Sequence, residues 1–177
     1  SRVETHRQYY GIGSNSDHTL VVSCKIDIEG PTSVDVIDRK GRVLRTIVDS
    51  DTMTELYSPL YLCTVGSHVL VSDWDTHTVF KVDVTSGQLL DQMTHSDMEW
   101  PCQVCVDKAG NLYIASLEGQ CVLVRSPRGE WRRLLDARQH SEEGYNLPLG
   151  VCITTSGVVV VAWSMRAITT GSLLTGY

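Results

Sequence analysis

The stretch Pro101-Cys-Gln-Val-Cys-Val-Asp-Lys-Ala-Gly-Asn-Leu-Tyr-Ile-Ala-Ser116 is one copy of a plan that the chain repeats. A proline leads into a short apolar strand, Val104 to Asp107. The turn Lys108-Ala109-Gly110-Asn111 follows, with glycine and asparagine to tolerate the positive φ of a tight reversal. Asn111 to Ala115 then returns as a second strand, and Cys121 to Arg125 and Trp131 to Leu135 read as a third and a fourth. Moving outward, Leu60 to Val65, Val69 to Ser72, Val79 to Val84 and Gln88 to Met93 give the same four steps. Tyr10 to Gly13, Leu20 to Ser23, Val34 to Ile37 and Arg42 to Val48 give them before that. After them come Val151 to Thr154, Val158 to Ala162, a weak third strand at Ala167 to Thr170 and a truncated fourth.

Three markers keep the phase. Gly41, Gly87, Gly129 and Gly171 each open the fourth strand, and Pro59, Pro101 and Pro148 each precede an inner strand. Cys63, Cys105 and Cys152 each stand four residues after one of those prolines, with Gly13 in that place in the first copy. The second strands are continuously apolar, as expected where both faces of a strand are covered. A period of roughly 40 to 50 residues built from short strands is the signature of a β-propeller blade, whose sheet buries both faces only against neighbouring blades. The chain is therefore read as all-β, a β-propeller segment of about four four-stranded blades over residues 7–50, 59–96, 101–138 and 148–177. Segments 51–58, 95–100 and 137–147 are read as loops between blades. A six-bladed ring needs roughly 250 to 280 residues, so 177 residues are read as a fragment of one.

Composition excludes several classes. A net charge of −6 speaks against a broad basic surface for nucleic acid. The basic groups Arg39, Lys40, Arg42, Arg45 and Arg125, Arg128, Arg132, Arg133, Arg138 lie on hairpins, and are read as solvated faces. No apolar run approaches the ~20 residues of a membrane helix. Cys102 and Cys105 form a C-x-x-C, but in a strand residues three apart point to opposite faces. The repeat position of Cys105 explains it as a small apolar side chain in a crowded place. Reduced, buried thiols and the lack of an Asn-x-Ser/Thr sequon point to the cytoplasm. No G-x-S-x-G, P-loop or H-E-x-x-H motif occurs, and the six histidines share no repeat position. No catalytic residue, metal ligand or cofactor is assigned.

The string Pro101 to Ser116 resembles the NHL repeat, whose pattern runs proline, small-apolar inner strand, Asp, Gly-containing turn, then an apolar strand ending in a small residue and Asp. Pro148-Leu-Gly-Val-Cys-Ile and Val69-Leu-Val-Ser-Asp-Trp74 match other parts of it, while Cys24, Ser116 and Trp163 stand where the second copy has Asp73. NHL propellers occur at the C-terminal end of tripartite-motif ubiquitin ligases, where they recruit targets. The resemblance implies a non-catalytic protein-interaction module of that kind. Ligase activity would belong to a RING domain, and oligomerisation to domains, outside this chain.

Partners of propellers dock on the face formed by the loops between second and third strands and between blades. The residues expected there are Asp73, Trp74, Asp75, His77, Glu99, Trp100, Glu118, Trp163 and Arg166, with Asp97 and Met165 beside them. Tryptophan and arginine are frequent interface anchors, although packing is the favoured role for Trp163 and the assigned one for Trp131. A protein or peptide partner is expected. Two alternatives stand beside it: a calcium-dependent propeller lactonase, with Glu99 and Asn146 toward the ring axis as ligands, and an RNA-binding NHL propeller, for which Arg166 is the main cation.

Overall fold

The computed structural model describes residues 8–15, 18–25, 31–139 and 145–166. The chain divides into two compact units, residues 1–94 and 95–177.

In the first unit, β1 (Gln8–Ser14), β2 (Leu20–Lys25), β3 (Thr32–Ile37) and β4 (Val43–Asp49) form one antiparallel sheet in sequence order. β5 (Pro59–Val65), β6 (His68–Asp73), β7 (Thr78–Asp83) and β8 (Leu89–Met93) form a second. In the second unit, β9 (Pro101–Val106), β10 (Leu112–Ser116), β11 (Cys121–Arg125) and β12 (Trp131–Asp136) repeat the pattern. A 3-10 turn (Ala137–Gln139) then leads to β13 (Tyr145–Ile153) and β14 (Val159–Arg166), which pair with each other. The third and fourth strands expected from Ala167 onward, and Gly171, lie outside the described residues.

The same register recurs in all four sheets. Gly13 faces Val21, Cys63 faces Leu70, Cys105 faces Tyr113 and Cys152 faces Val160. One register shift interrupts each inner strand, between Tyr9 and Ile12, between Pro59 and Tyr61, between Pro101 and Val104, and between Pro148 and Gly150. Proline lacks a ladder donor, and strand prolines sit at edges and bulges for that reason. Pro59, Pro101 and Pro148 all sit on the inner edge strand at this irregularity. Strand β13 starts at Tyr145, so the loop expected over 137–147 is shorter than the sequence indicated.

Five hairpins, β3–β4, β7–β8, β9–β10, β11–β12 and β13–β14, share one chemistry. Asp38 Oδ1 accepts the amides of Lys40 and Arg42, Asp83 Oδ1 those of Thr85 and Ser86, and Asp107 Oδ1 those of Ala109 and Asn111. Ser126 and Thr154 accept one amide each in the equivalent place. A glycine in the left-handed region closes each of these turns, at Gly41, Gly87, Gly110, Gly129 and Gly157. At Gly87 the requirement is double, because a Cβ would also stand 2.4 Å from the Ile47 carbonyl.

The core of the first unit lies between its two sheets, where Val21, Val34, Val36 and Val48 meet Leu62, Val69, Val71, Phe80 and Val82. Strands β2, β6 and β10 are buried on both faces, which is why they do not alternate in sequence. Ser23 crosses between sheets, accepting the Gly11 amide at 2.8 Å and donating to the Leu60 carbonyl at 3.2 Å.

The repeat cysteines depart from expectation. Cys63 and Cys105 are half-buried and Cys152 is exposed, whereas the buried thiols are Cys24, Cys102 and Cys121. The inner strand is an edge, so its side chains are crowded laterally without being sealed from solvent. At Gly13, a Cβ would lie 2.8 Å from Leu62 Cδ1. Burial pushes the Cys102 thiol up to about 12 and the Cys121 thiol up to about 11, so both are protonated at neutral pH.

Candidate functional site: the turn ends of the sheets

In the second and third sheets, the turn between second and third strands lies at the same end as the loop entering the first strand. In the first unit the two are tied together by Asp73. Its Oδ2 accepts the amides of Tyr57 at 2.8 Å and Ser58 at 2.7 Å, and its Oδ1 accepts the Thr76 amide at 3.1 Å and hydroxyl at 3.0 Å. The side chain is fully buried. Burial raises the carboxyl above its ordinary value, and the hydrogen bonds pull against that shift. Asp73 is expected to face a partner; the structure instead buries it, with one oxygen taken up by the loop folded over it and the other by the β6–β7 turn.

Around this clamp, Trp74 is half-buried and donates its amide to the Ser58 carbonyl at 3.0 Å. Asp75 is exposed and accepts a short hydrogen bond from the Ser58 hydroxyl, while the Lys25 ammonium donates to the same hydroxyl at 2.7 Å and lies 3.8 Å from Asp75. Lys25, Ser58 and Asp75 therefore join β2, the loop between the two sheets and the β6–β7 turn. Sequence reading missed Lys25 and Ser58, which lie 33 residues apart. His77 is half-buried and holds the left-handed conformation that closes the turn, with φ of 54°.

The second unit builds the same junction with different chemistry. Ser116 occupies the place of Asp73 and is fully buried. Its hydroxyl accepts the Glu99 amide at 2.8 Å and lies 2.9 Å from the carbonyls of Asp97 and Glu99, to one of which it donates. The amides of Leu117 and Glu118 donate to the carbonyls of Trp100 and Glu99. Gly119 is required here, since a Cβ would stand 2.0 Å from the Asp97 carbonyl. Glu99 is exposed, while Trp100 and Glu118 are half-buried. Trp163, opposite Pro148, is 42% exposed, against the packing role expected for it. Arg166 ends β14; its side chain, with those of Met165 and Asn146, lies outside the described residues.

The arginines after β11 are more organised than solvated hairpin faces. Arg133 bonds Asp97 at 2.5 Å and also pairs with Asp136, which in turn accepts from Arg138 Nε at 2.9 Å. The Arg133 hydrogen bond, then its charge, holds the Asp97 carboxyl below its ordinary value. Trp131, half-buried, lies 5.2 Å from the His95 ring and 5.9 Å from the Arg125 guanidinium.

No family model matches the chain, and no curated protein matches it. Solved structures do. A streptogramin B lyase structure is 13% identical with a TM-score of 0.68, over 98% of this chain and 55% of that one. A catalytically inactive virginiamycin B lyase from Staphylococcus aureus with quinupristin is 10% identical with a TM-score of 0.67, over 98% and 56%. The WD40 β-propeller domain of Doa1 is 13% identical with a TM-score of 0.66, over 87% and 47%. This chain thus spans about half the length of these structures. The identities show the fold alone, and the fold is of the β-propeller type, as the repeat indicated.

Proposed function

We propose that the chain is a non-catalytic protein-interaction module of the β-propeller type. The observation that carries this reading is the construction of the turn ends. Asp73 and Ser116 fasten the interblade loops to the β6–β7 and β10–β11 turns from beneath, and acidic Asp75 and Glu99 stay on the surface above them. Prefixing loop geometry in this way lowers the ordering cost of binding, and half-buried Trp74 and Trp100 supply the residue type that anchors interfaces. The partner is a protein or peptide. The finer reading, target recruitment for a tripartite-motif ubiquitin ligase in the cytoplasm, rests on the NHL resemblance together with the propeller likeness.

A photo-crosslinking residue placed at Asp75 or Glu99, in the protein as expressed in its own cells, tests this. Discrete protein adducts from both positions, and none from Gln92 on β8, are the expected result. Equal labelling from all three would remove the loop-end assignment, and enrichment of RNA would transfer the reading to a nucleic-acid partner.

A further inference from the structure

The outer edge of the third sheet is the richest in arginine among the three four-stranded sheets. Strand β12 pairs with β11 along one side, and among the described residues no strand pairs with its other side. An open edge carries a row of backbone donors and acceptors ready for an added strand. The chain from Arg125 to Arg138 holds five arginines against Glu130 and Asp136, in a protein whose net charge is −6. The β3–β4 hairpin and β4 carry a smaller basic group, Arg39, Lys40, Arg42 and Arg45, beside the exposed aliphatic pair Val43 and Leu44, and β8 exposes Leu89 with Leu90.

The arginines divide by role. Arg133 and Arg138 are paired with Asp97 and Asp136, and Arg125 lies over Trp131. Arg128 and Arg132 are exposed and form no ion pair among the described residues. Arg132 is on the strand itself, opposite Val124, and Arg128 is on the hairpin that enters it. A basic edge repels a second copy of itself, a device that keeps open strands from self-pairing. It attracts a strand of opposite charge.

We propose that the outer edge of β12 is a second docking surface, which takes an extended acidic peptide as an added strand with carboxylates on Arg128 and Arg132. The bound segment completes the sheet through main-chain hydrogen bonds, and charge selects it. Single-stranded nucleic acid is a poorer fit: bases bind on free aromatic faces, and the Trp131 ring already has the Arg125 guanidinium over it and the His95 ring 5.2 Å away. The surface is separate from the turn ends, so it stands or falls independently of the function proposed above.

The test uses the full 177-residue chain captured on a biosensor. The probes are a capped ten-residue peptide of alternating Glu and Val, the same peptide with proline at every second Val, and a ten-nucleotide oligouridine. Expected are micromolar binding of the first peptide, loss of about tenfold for Arg128→Glu/Arg132→Glu, a similar loss for the proline peptide, and no effect of Arg45→Glu on β4. Hydrogen exchange should show added protection at amides 131–136 alone, and Arg132→Gln, which keeps the side chain's length, should weaken binding in the same direction. Equal binding of the proline peptide, an equal effect of Arg45→Glu, tighter binding of the oligouridine, or no binding of the first peptide would each overturn the proposal.

Discussion

Asp73 and Ser116 solve one problem with different atoms. A buried carboxylate accepts from four donors, whereas a buried hydroxyl accepts from one and donates to one. Asp73→Asn should therefore destabilise the fold, because the amide nitrogen cannot accept from either the Tyr57 and Ser58 amides or the Thr76 amide. The expected loss is about 1–3 kcal/mol, read from denaturant unfolding. Asp73 also carries a pH signature. Its folded value is raised, so its contribution is fully present below the unfolded value and is lost as pH rises through the folded one. Subtracting the Asp73→Asn stability curve from that of the parent should show this decline. At Gly119 the constraint is steric. Adding a methyl group 2.0 Å from the Asp97 carbonyl must move the loop from Ser116, and Gly119→Ala should cost about 1–3 kcal/mol, with His95 to Trp100 becoming the first protease-sensitive segment.

At the scale of elements, the junction between the 94–100 loop and β12 is electrostatic. Asp97 is held below its ordinary value by Arg133, and Asp136 by Arg138 and Arg133. For a carboxylate with a depressed folded value, the stabilisation is present above the unfolded value and is lost as pH falls through the folded one. Melting temperature should accordingly decrease below about pH 4, and Arg133→Met should flatten that decrease while leaving the curve near pH 7 closer to parallel with the parent. Much of this architecture was legible in sequence. Strands β2, β6 and β10 were found because burial on both faces leaves runs such as Val69-Leu70-Val71, and hairpins because Gly41, Gly110 and Gly129 are needed at positive φ. The start of β13 was not, since Pro148 reads as a strand breaker unless it is known to sit at a bulge on an edge. The burial of Asp73 was not legible. An acid at the end of a strand looks solvent-facing, and only the loop folded over it makes Asp73 interior. Lys25 reaches Ser58 across 33 residues of chain, a distance that no local pattern encodes.

For the molecule as a whole, the apolar surface left open is unevenly distributed. On β1, Tyr10 and Ile12 are 50% and 65% exposed; at β14 and the turn before it, Val158, Val160 and Trp163 are 57%, 47% and 42% exposed. β14 pairs with β13, and these apolar side chains are grouped on that strand and the turn before it. Such a group of exposed apolar side chains favours association between copies through burial of their surface. The purified 177-residue chain should self-associate as its concentration rises, and light scattering should show it. Val160→Thr with Trp163→Thr retains β propensity while removing apolar area, and should reduce scattering severalfold with little change in the far-ultraviolet spectrum. Equivalent changes at Leu89 and Leu90 on β8 should have a smaller effect, since those two residues open a strand that continues directly with polar Asp91 and Gln92. A sharp, reversible unfolding transition of a monomer, unaltered by the β14 substitutions, would mean that the β14 edge does not govern the chain's behaviour in solution.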